Sequence, residues 1–333
     1  MGGSVHSRGS STQMEDHVTI VEVSPRDGLP ALCGGTSTDD KIAYINSLAQ
    51  AGLKKIECVA FTHPRLIPEN ADAEAVMEGI NKKPGVSYIG LVPNEIGCRR
   101  ALVTRIDEVL TLVAVTDIFT KLNAGRSLKE HMNKALPTIF DAALKAGKSV
   151  RSYILTAFGC PYSGKVSYDN VMQLVMKMKY LGASEIVLAD STGMANPRQV
   201  KELVKLCFGM KLDVNLAVHF HNTRGTAIAN CIAAYEAGVR TFDASVGGMS
   251  GTPYGAMELS FGYWNIPTED LVHLFEEMGV KTGIDMDRLL ECVKIAERLA
   301  DKPLPGHILR ASVSSRLAEV PDRLKKITNL GIW

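Results

Sequence analysis

From Val18 onward the chain alternates short β-branched runs with longer stretches whose apolar residues recur at helical spacing. That alternation dictates a parallel sheet, because each strand must be followed by a crossover before the next can pair beside it. The runs are VTIVEVS from Val18, KKIECVA from Lys54, VSYIGLV from Val86, EVLTLVA from Glu108, SVRSYILT from Ser149, EIVLAD from Glu185, NLAVHFH from Asn215 and TFDASVG from Thr241. Several helical stretches end in Ala-Gly or Leu-Gly before the next run, as at Gly52, Gly147, Gly182 and Gly238, where glycine suits a left-handed helix cap. About eight such units fit a (β/α)8 TIM barrel, whose core of about 250 residues leaves room for extra C-terminal helices. The periodic stretch 285–299 and the basic stretch 317–326 fill that role. An open doubly wound sheet is the alternative, but the first strand lacks the GxGxxG turn of a dinucleotide site. With no linker in view, residues 17–333 are read as one barrel domain and residues 1–16, small and polar, as a disordered tail.

The chain carries 37 Lys+Arg against 36 Asp+Glu, a net charge of +1 that offers no broad attraction to nucleic acid or an anionic membrane surface. No apolar run approaches the roughly 20 residues needed to span a bilayer. The tail lacks the apolar core of a secretory signal, and His6 stands where a myristoylation pattern wants Ser or Thr. Seven dispersed cysteines without CxxC spacing point to reduced thiols, hence to a cytoplasmic protein.

A barrel places function at the carboxyl ends of its strands, where this chain concentrates its unusual residues. His219 and His221 close the seventh run, and residues two apart in a strand face the same way, about 6.6 Å apart. They are either two imidazoles able to share a metal or a pair of partly buried polar side chains. The first run ends in Ser24-Pro25-Arg26-Asp27-Gly28, so Asp27 brings a hard oxygen donor to the same mouth, a set suited to Mg²⁺ or Mn²⁺. Glu57 sits inside an apolar strand and requires a partner there, such as Arg26 or a metal-bound water. Asp190 ends the sixth run, either as another mouth carboxylate or as a cap on the turn through Ser191 or Thr192.

Together these segments resemble the hydroxymethylglutaryl-CoA lyase family of divalent-metal barrel enzymes over residues 18–299. The resemblance rests on Pro25-Arg26-Asp27-Gly28, Ile56-Glu57, Gly159-Cys160-Pro161-Tyr162-Ser163-Gly164-Lys165, Asp190-Ser191-Thr192-Gly193, His219-Phe220-His221-Asn222-Thr223 and Asn265-Ile266-Pro267-Thr268-Glu269-Asp270-Leu271-Val272. It implies Asp27, His219, His221 and Asn265 as metal ligands, Arg26 as the cation steadying an enolate oxygen, and Glu57 and Asp190 as active-site carboxylates. It further implies Asn123 as a substrate contact, an acyl-CoA substrate and a homodimer. The implied reaction is a metal-dependent retro-Claisen cleavage of a 3-hydroxy-3-methylglutaryl-CoA-like thioester, releasing acetyl-CoA and a keto acid. His219, assisted by Asp27, is the candidate proton-transfer group.

The chain also departs from the family. Family lyases carry Gly-Gly-Cys-Pro-Tyr in a loop after the eighth strand, whereas this sequence reads Met249-Ser250-Gly251-Thr252-Pro253-Tyr254. Thr252 therefore stands at the cysteine position as a substrate-contacting residue, without a thiol's acidity. The segment 255–264 is longer than usual and brings Met257, Glu258, Phe261, Tyr263 and Trp264 toward Asn265, so a reshaped pocket is expected. Arg126 is available to a second carboxylate or a CoA phosphate, and Cys160 is read as packing. Alternatives are a lyase or condensing enzyme with another acyl-CoA or hydroxy acid, and a catalytically impaired ligand-binding barrel. Zinc amidohydrolases also use His-x-His pairs, but on the first strand of their barrels.

Overall fold

The structure, a computed structural model, describes residues 16–32, 35–251 and 264–318. All eight sequence runs are strands: β1 (Thr19–Glu22), β2 (Lys55–Ala60), β3 (Ser87–Leu91), β4 (Glu108–Ala114), β5 (Ser149–Leu155), β6 (Glu185–Asp190), β7 (Asn215–Phe220) and β8 (Thr241–Ala244). Each pairs in parallel with its sequence neighbour, and β8 returns to β1 with Thr19 opposite Thr241, closing the barrel. The (β/α)8 fold expected from the alternation is the fold observed.

The crossover helices are α1 (Thr38–Gln50), α2 (Ala73–Gly79), α3 (Glu95–Leu102), α4 (Leu136–Lys145), α5 (Tyr168–Leu181), α6 (Pro197–Gly209), α7 (Ala227–Glu236) and α8 (Thr268–Glu277), with α9 (Met286–Ala300) beyond the barrel. Their ends are written locally. Ser37 and Ser167 accept from the amides of Asp40 and Asp169, and Asn196 with Gln199 forms a capping box before Pro197. Gly182 closes α5 at φ 101°, a left-handed value that a side chain resists. The stretch 285–299 is realised as α9. Of the stretch 317–326, Leu317 and Ala318 belong to a one-turn helix, Ser314–Ala318, and the remainder lies outside the described residues, as do residues 1–15 of the expected tail.

The apolar core lies mainly between sheet and helices, where Ile45 and Leu48 of α1, Val175 of α5 and Leu203 of α6 are buried. Each such side chain contributes on the order of 1.5–3 kcal/mol by leaving water. A smaller apolar set, including Val21, Ile89, Leu110 and Val187, fills the barrel interior. Other interior positions, taken up below, are charged or polar. No described helix is long and apolar enough to cross a membrane.

Candidate active site

The charged interior begins at the amino ends of the even strands. Lys55 opens β2, Glu108 opens β4 and Glu185 opens β6, and the Lys55 ammonium lies 3.0 Å from Glu108 and 2.9 Å from Glu185. Arg151, on β5 and fully buried, continues the chain of contacts upward. Its Nε donates to Glu185 at 2.5 Å, its Nη1 to Glu57 Oε1 at 2.7 Å, and its Nη2 to Asp243 Oδ1. The Tyr153 hydroxyl donates to Glu57 at 2.8 Å and is also paired with Asp243. Burial opposes the Arg151 charge, but Asp243, Tyr153, Glu185 and Glu57 outweigh it and hold the guanidinium protonated.

Above this layer the chain leaves β1 through a wide helical turn, Ser24–Gly28. The turn aims Arg26 and Asp27 into the mouth. Arg26 Nε and Nη2 donate to Glu57 Oε2 at 2.8 and 2.5 Å, while Nη1 donates to Asp27 Oδ1 at 2.7 Å. Glu57 thus meets Arg26, as its place in an apolar strand required.

Asp27, His219 and His221 converge: one donor atom from each lies within 4.8 Å of the others. Strands β1 and β7 are not neighbours, so closure of the barrel brings them together. His219 lies within β7, and the two imidazole centroids are 5.0 Å apart. His221 lies just past the strand, in an isolated bridge to Asn265. Burial, helped by neighbouring His219, pushes the His221 imidazole down to about 3, so it is neutral and able to offer a lone pair. Asp27 is held below the usual carboxylate range: burial raises it, but the Arg26 guanidinium beside it, with the Asn265 amide donating to it, outweighs that. The Asn265 amide donates to Asp27 Oδ2 at 2.6 Å and to the Met249 carbonyl at 3.2 Å, which places this residue beside the three.

Taken in ordinary charge states, this connected set holds three cations, Lys55, Arg151 and Arg26, and five carboxylates, Asp27, Glu57, Glu108, Glu185 and Asp243. The excess of two negative charges, beside the imidazoles of His219 and His221, fits a divalent cation.

Asp190 departs from a free mouth carboxylate. Its oxygens accept the backbone amides of Met194 at 2.7 Å and Ala195 at 2.9 Å, so it caps the loop after β6 through later amides than those of Ser191 or Thr192. Burial still pushes it up to about 6. Asn123 is on the helical turn Asp117–Ala124 after β4, half-buried. Arg126 pairs with Glu95 on α3 at 3.3 Å. Cys160 is buried with its sulfur 3.2 Å from the Thr116 hydroxyl, as a packing residue would be. Thr252, with Met257, Glu258, Phe261 and Tyr263, lies outside the described residues. The flanking chain is anchored: the Gly251 amide donates to the Asp27 carbonyl at 2.8 Å and the Asn222 amide to the Trp264 carbonyl at 2.5 Å.

Sequence reasoning missed Arg151, Tyr153 and Asp243. The signal that singled out Glu57, a charge inside an apolar strand, also marks Arg151 in SVRSYIL and Asp243 in TFDA.

A family model described as HMGL-like matches residues 17–295. Among curated proteins, the hydroxymethylglutaryl-CoA lyase YngG of Bacillus subtilis is 38% identical over 298 residues, covering 90% of this chain and 98% of that one. The mitochondrial hydroxymethylglutaryl-CoA lyase of Homo sapiens is 38% identical over 289 residues, covering 86% of each chain. Among solved structures, the HMG-CoA lyase of Bacillus subtilis aligns with a TM-score of 0.84 at 38% identity, over 89% of this chain and 98% of that one. An HMG-CoA lyase from Acinetobacter baumannii, in complex with coenzyme A and 3-methylmalate, aligns with a TM-score of 0.85 at 35% identity, over 93% and 100%. The carboxyl transferase domain of Rhizobium etli pyruvate carboxylase, 18% identical with a TM-score of 0.65, shares the fold.

Proposed function

The chain belongs to the HMGL-like family, and from that premise we propose how its residues work as those of a carbon–carbon lyase acting on a 3-hydroxy-3-methylglutaryl-CoA-like thioester. The observation that carries the reading is the convergence of Asp27, His219 and His221 within 4.8 Å, with Arg26 fixed against Asp27. Asp27, His219 and His221, with Asn265 as a fourth donor, would hold a divalent ion, Mg²⁺ or Mn²⁺. Such an ion, when bound, supplies the Lewis acidity that makes a tertiary hydroxyl easier to deprotonate.

The chain's own groups do the rest. A proton leaves the substrate's C3 hydroxyl to the His219–Asp27 pair, a carboxylate oxygen of Asp27 taking it where the one lone pair of His219 is given to the ion, and the C3–O bond becomes a carbonyl. The C2–C3 bond breaks and its electron pair moves onto the thioester as an enolate. Arg26, planar and always charged, meets the oxygen on which that charge develops. Protonation of the enolate carbon gives acetyl-CoA, and the other fragment leaves as the keto acid. Glu57 keeps Arg26 in place, Asp190 shapes the wall after β6, and Asn123 and Thr252 are carried as substrate contacts.

Thr252 favours one variation on this reading: a related 3-hydroxy-3-substituted acyl-CoA as the preferred substrate, because the family's loop thiol is replaced by a hydroxyl. Six buried free cysteines among the described residues fit a reducing compartment, taken here as the cytoplasm, and the assembly is proposed as a homodimer. The reading is tested by incubating the protein with 3-hydroxy-3-methylglutaryl-CoA and Mg²⁺ or Mn²⁺ and identifying products by mass spectrometry. Acetyl-CoA with acetoacetate, absent under EDTA, is expected; free CoA from thioester hydrolysis would contradict it.

A further inference from the structure

Among the interior carboxylates without a task in the reaction as written above, Asp243 lies beside a proposed ligand. It is the third residue of β8 and the register partner of His219 on β7. Register partners on neighbouring parallel strands project to the same side of the sheet, so both side chains point into the barrel. Asp243 is held from several directions. Arg151 Nη2 pairs with Oδ1, while the Tyr153 hydroxyl and, at 3.2 Å, Arg151 Nη1 pair with Oδ2. Arg151 is in turn tied to Glu57 and Glu185, so the guanidinium that grips Asp243 has no freedom to turn. The same Oδ2 lies 3.3 Å from His219 Nδ1. That ring nitrogen is buried and has no aligned hydrogen-bond partner.

We propose that Asp243 is a positioning residue for His219: it keeps the imidazole proton on Nδ1 and so presents the Nε2 lone pair to the site shared with Asp27 and His221. The inference rests on the reading of His219 as a metal ligand. Its physical basis is the neutral imidazole's division of labour, one nitrogen a donor and the other an acceptor. A carboxylate gripped by Arg151 can only accept, so the nitrogen facing it must carry the proton. The ring orientation is constrained as well, since the Tyr153 ring stands edge-on to His219 at 5.3 Å between centroids. A structural ion pair with Arg151 would not need Oδ2 beside an imidazole; an orienting carboxylate would.

Asp243→Asn reverses the logic at constant size. Arg151 draws the amide oxygen toward itself, the amide NH₂ then faces His219 Nδ1, and the imidazole proton is driven to Nε2, removing the lone pair. The same change of tautomer is what an Asp→Asn substitution does behind a catalytic histidine in a serine protease.

Two measurements test the inference. Long-range ¹H–¹⁵N spectra of metal-free wild-type protein with ¹⁵N-labelled histidine, assigned with His219→Gln, are expected to show a proton on His219 Nδ1 and none on Nε2 at pH 8. A proton on Nε2, alone or beside one on Nδ1, overturns it. Free Mn²⁺ counted by electron paramagnetic resonance is expected to show binding weakened about 10–100-fold in Asp243→Asn. Equal affinity overturns it. If that variant does not fold, the wild-type spectrum decides alone. A wild-type protein that binds no Mn²⁺ would instead remove the metal reading itself, and with it the inference, so the two failures are distinguishable.

Discussion

Glu57 grips Arg26 through one oxygen and the barrel floor through the other: Oε2 takes Arg26 Nε at 2.8 Å and Nη2 at 2.5 Å, while Oε1 takes Arg151 at 2.7 Å and Tyr153 at 2.8 Å. The cation at the mouth is therefore immobilised by a network that runs to the opposite end of the barrel. Its remaining nitrogen, Nη1, is tied to Asp27. A fork of donors held this way is preorganised for an oxygen on which charge develops during bond cleavage.

Arg26→Lys keeps the charge but loses the planar fork. A single ammonium cannot span Glu57, Asp27 and a substrate oxygen at once. Turnover is expected to fall by about 10²–10³-fold, the usual loss for one such donor, with Mn²⁺ affinity changed far less. Steady-state kinetics beside Mn²⁺ titration check this, and a kcat within threefold of wild type would contradict the role given to Arg26.

Arg151→Met should unfold the protein more readily. It leaves Glu57, Asp243 and Glu185 buried without their shared cation. Breaking a buried pair in this way typically costs about 3–5 kcal/mol, and here three carboxylates are affected. Urea unfolding is the measurement, and an unchanged midpoint would mean that the interior charges are solvated in a way the buried geometry does not allow.

Glu269 supplies a pH signature away from the ligand cluster. Burial pushes its carboxyl up to about 8 from the ordinary 4.5, although Gly247 donates a backbone amide to it. The folded protein therefore holds this proton more tightly than the unfolded chain does. Its contribution to stability is full below pH 4.5 and is lost as pH rises through 8, at up to about 1.4 kcal/mol per pH unit. Glu269→Gln removes that dependence. The difference in unfolding free energy between variant and wild type should shift in the variant's favour from pH 5 to pH 9; a difference constant across that range would refute the raised value.

Much of this is legible in the sequence. The β4 and β6 runs match the observed strands residue for residue: β6 lies between Ser184 and Ser191-Thr192-Gly193, and β4 follows Asp107. The Asp27, His219 and His221 set was legible because strand ends of a closed barrel must meet at one mouth. Asn265 was reached through family resemblance, since nothing local distinguishes an asparagine before Ile-Pro-Thr; its bridge to His221 is a tertiary fact. The binding of Asp190 by Met194 and Ala195 depends on how the loop after β6 curls back. Arg151 and Asp243 carried the same signal as Glu57, but which partner each would meet depends on strand register.

Thr252→Cys tests the departure from the family motif. A thiol with a pKa of about 8.5 can exchange a proton near neutral pH where a hydroxyl cannot. A rise in kcat toward 3-hydroxy-3-methylglutaryl-CoA of at least tenfold is expected if the hydroxyl is what limits this chain. No gain would shift responsibility to the longer segment that follows.

The central claim is that one divalent ion, held by Asp27, His219 and His221, is required for carbon–carbon cleavage. The initial rate of acetyl-CoA release from 3-hydroxy-3-methylglutaryl-CoA should be measured against Mn²⁺ on the same samples used to count bound Mn²⁺. The two curves are predicted to superimpose, saturating at one ion per chain, with both lost in Asp27→Ala. Undiminished release by metal-stripped protein in EDTA would contradict the account.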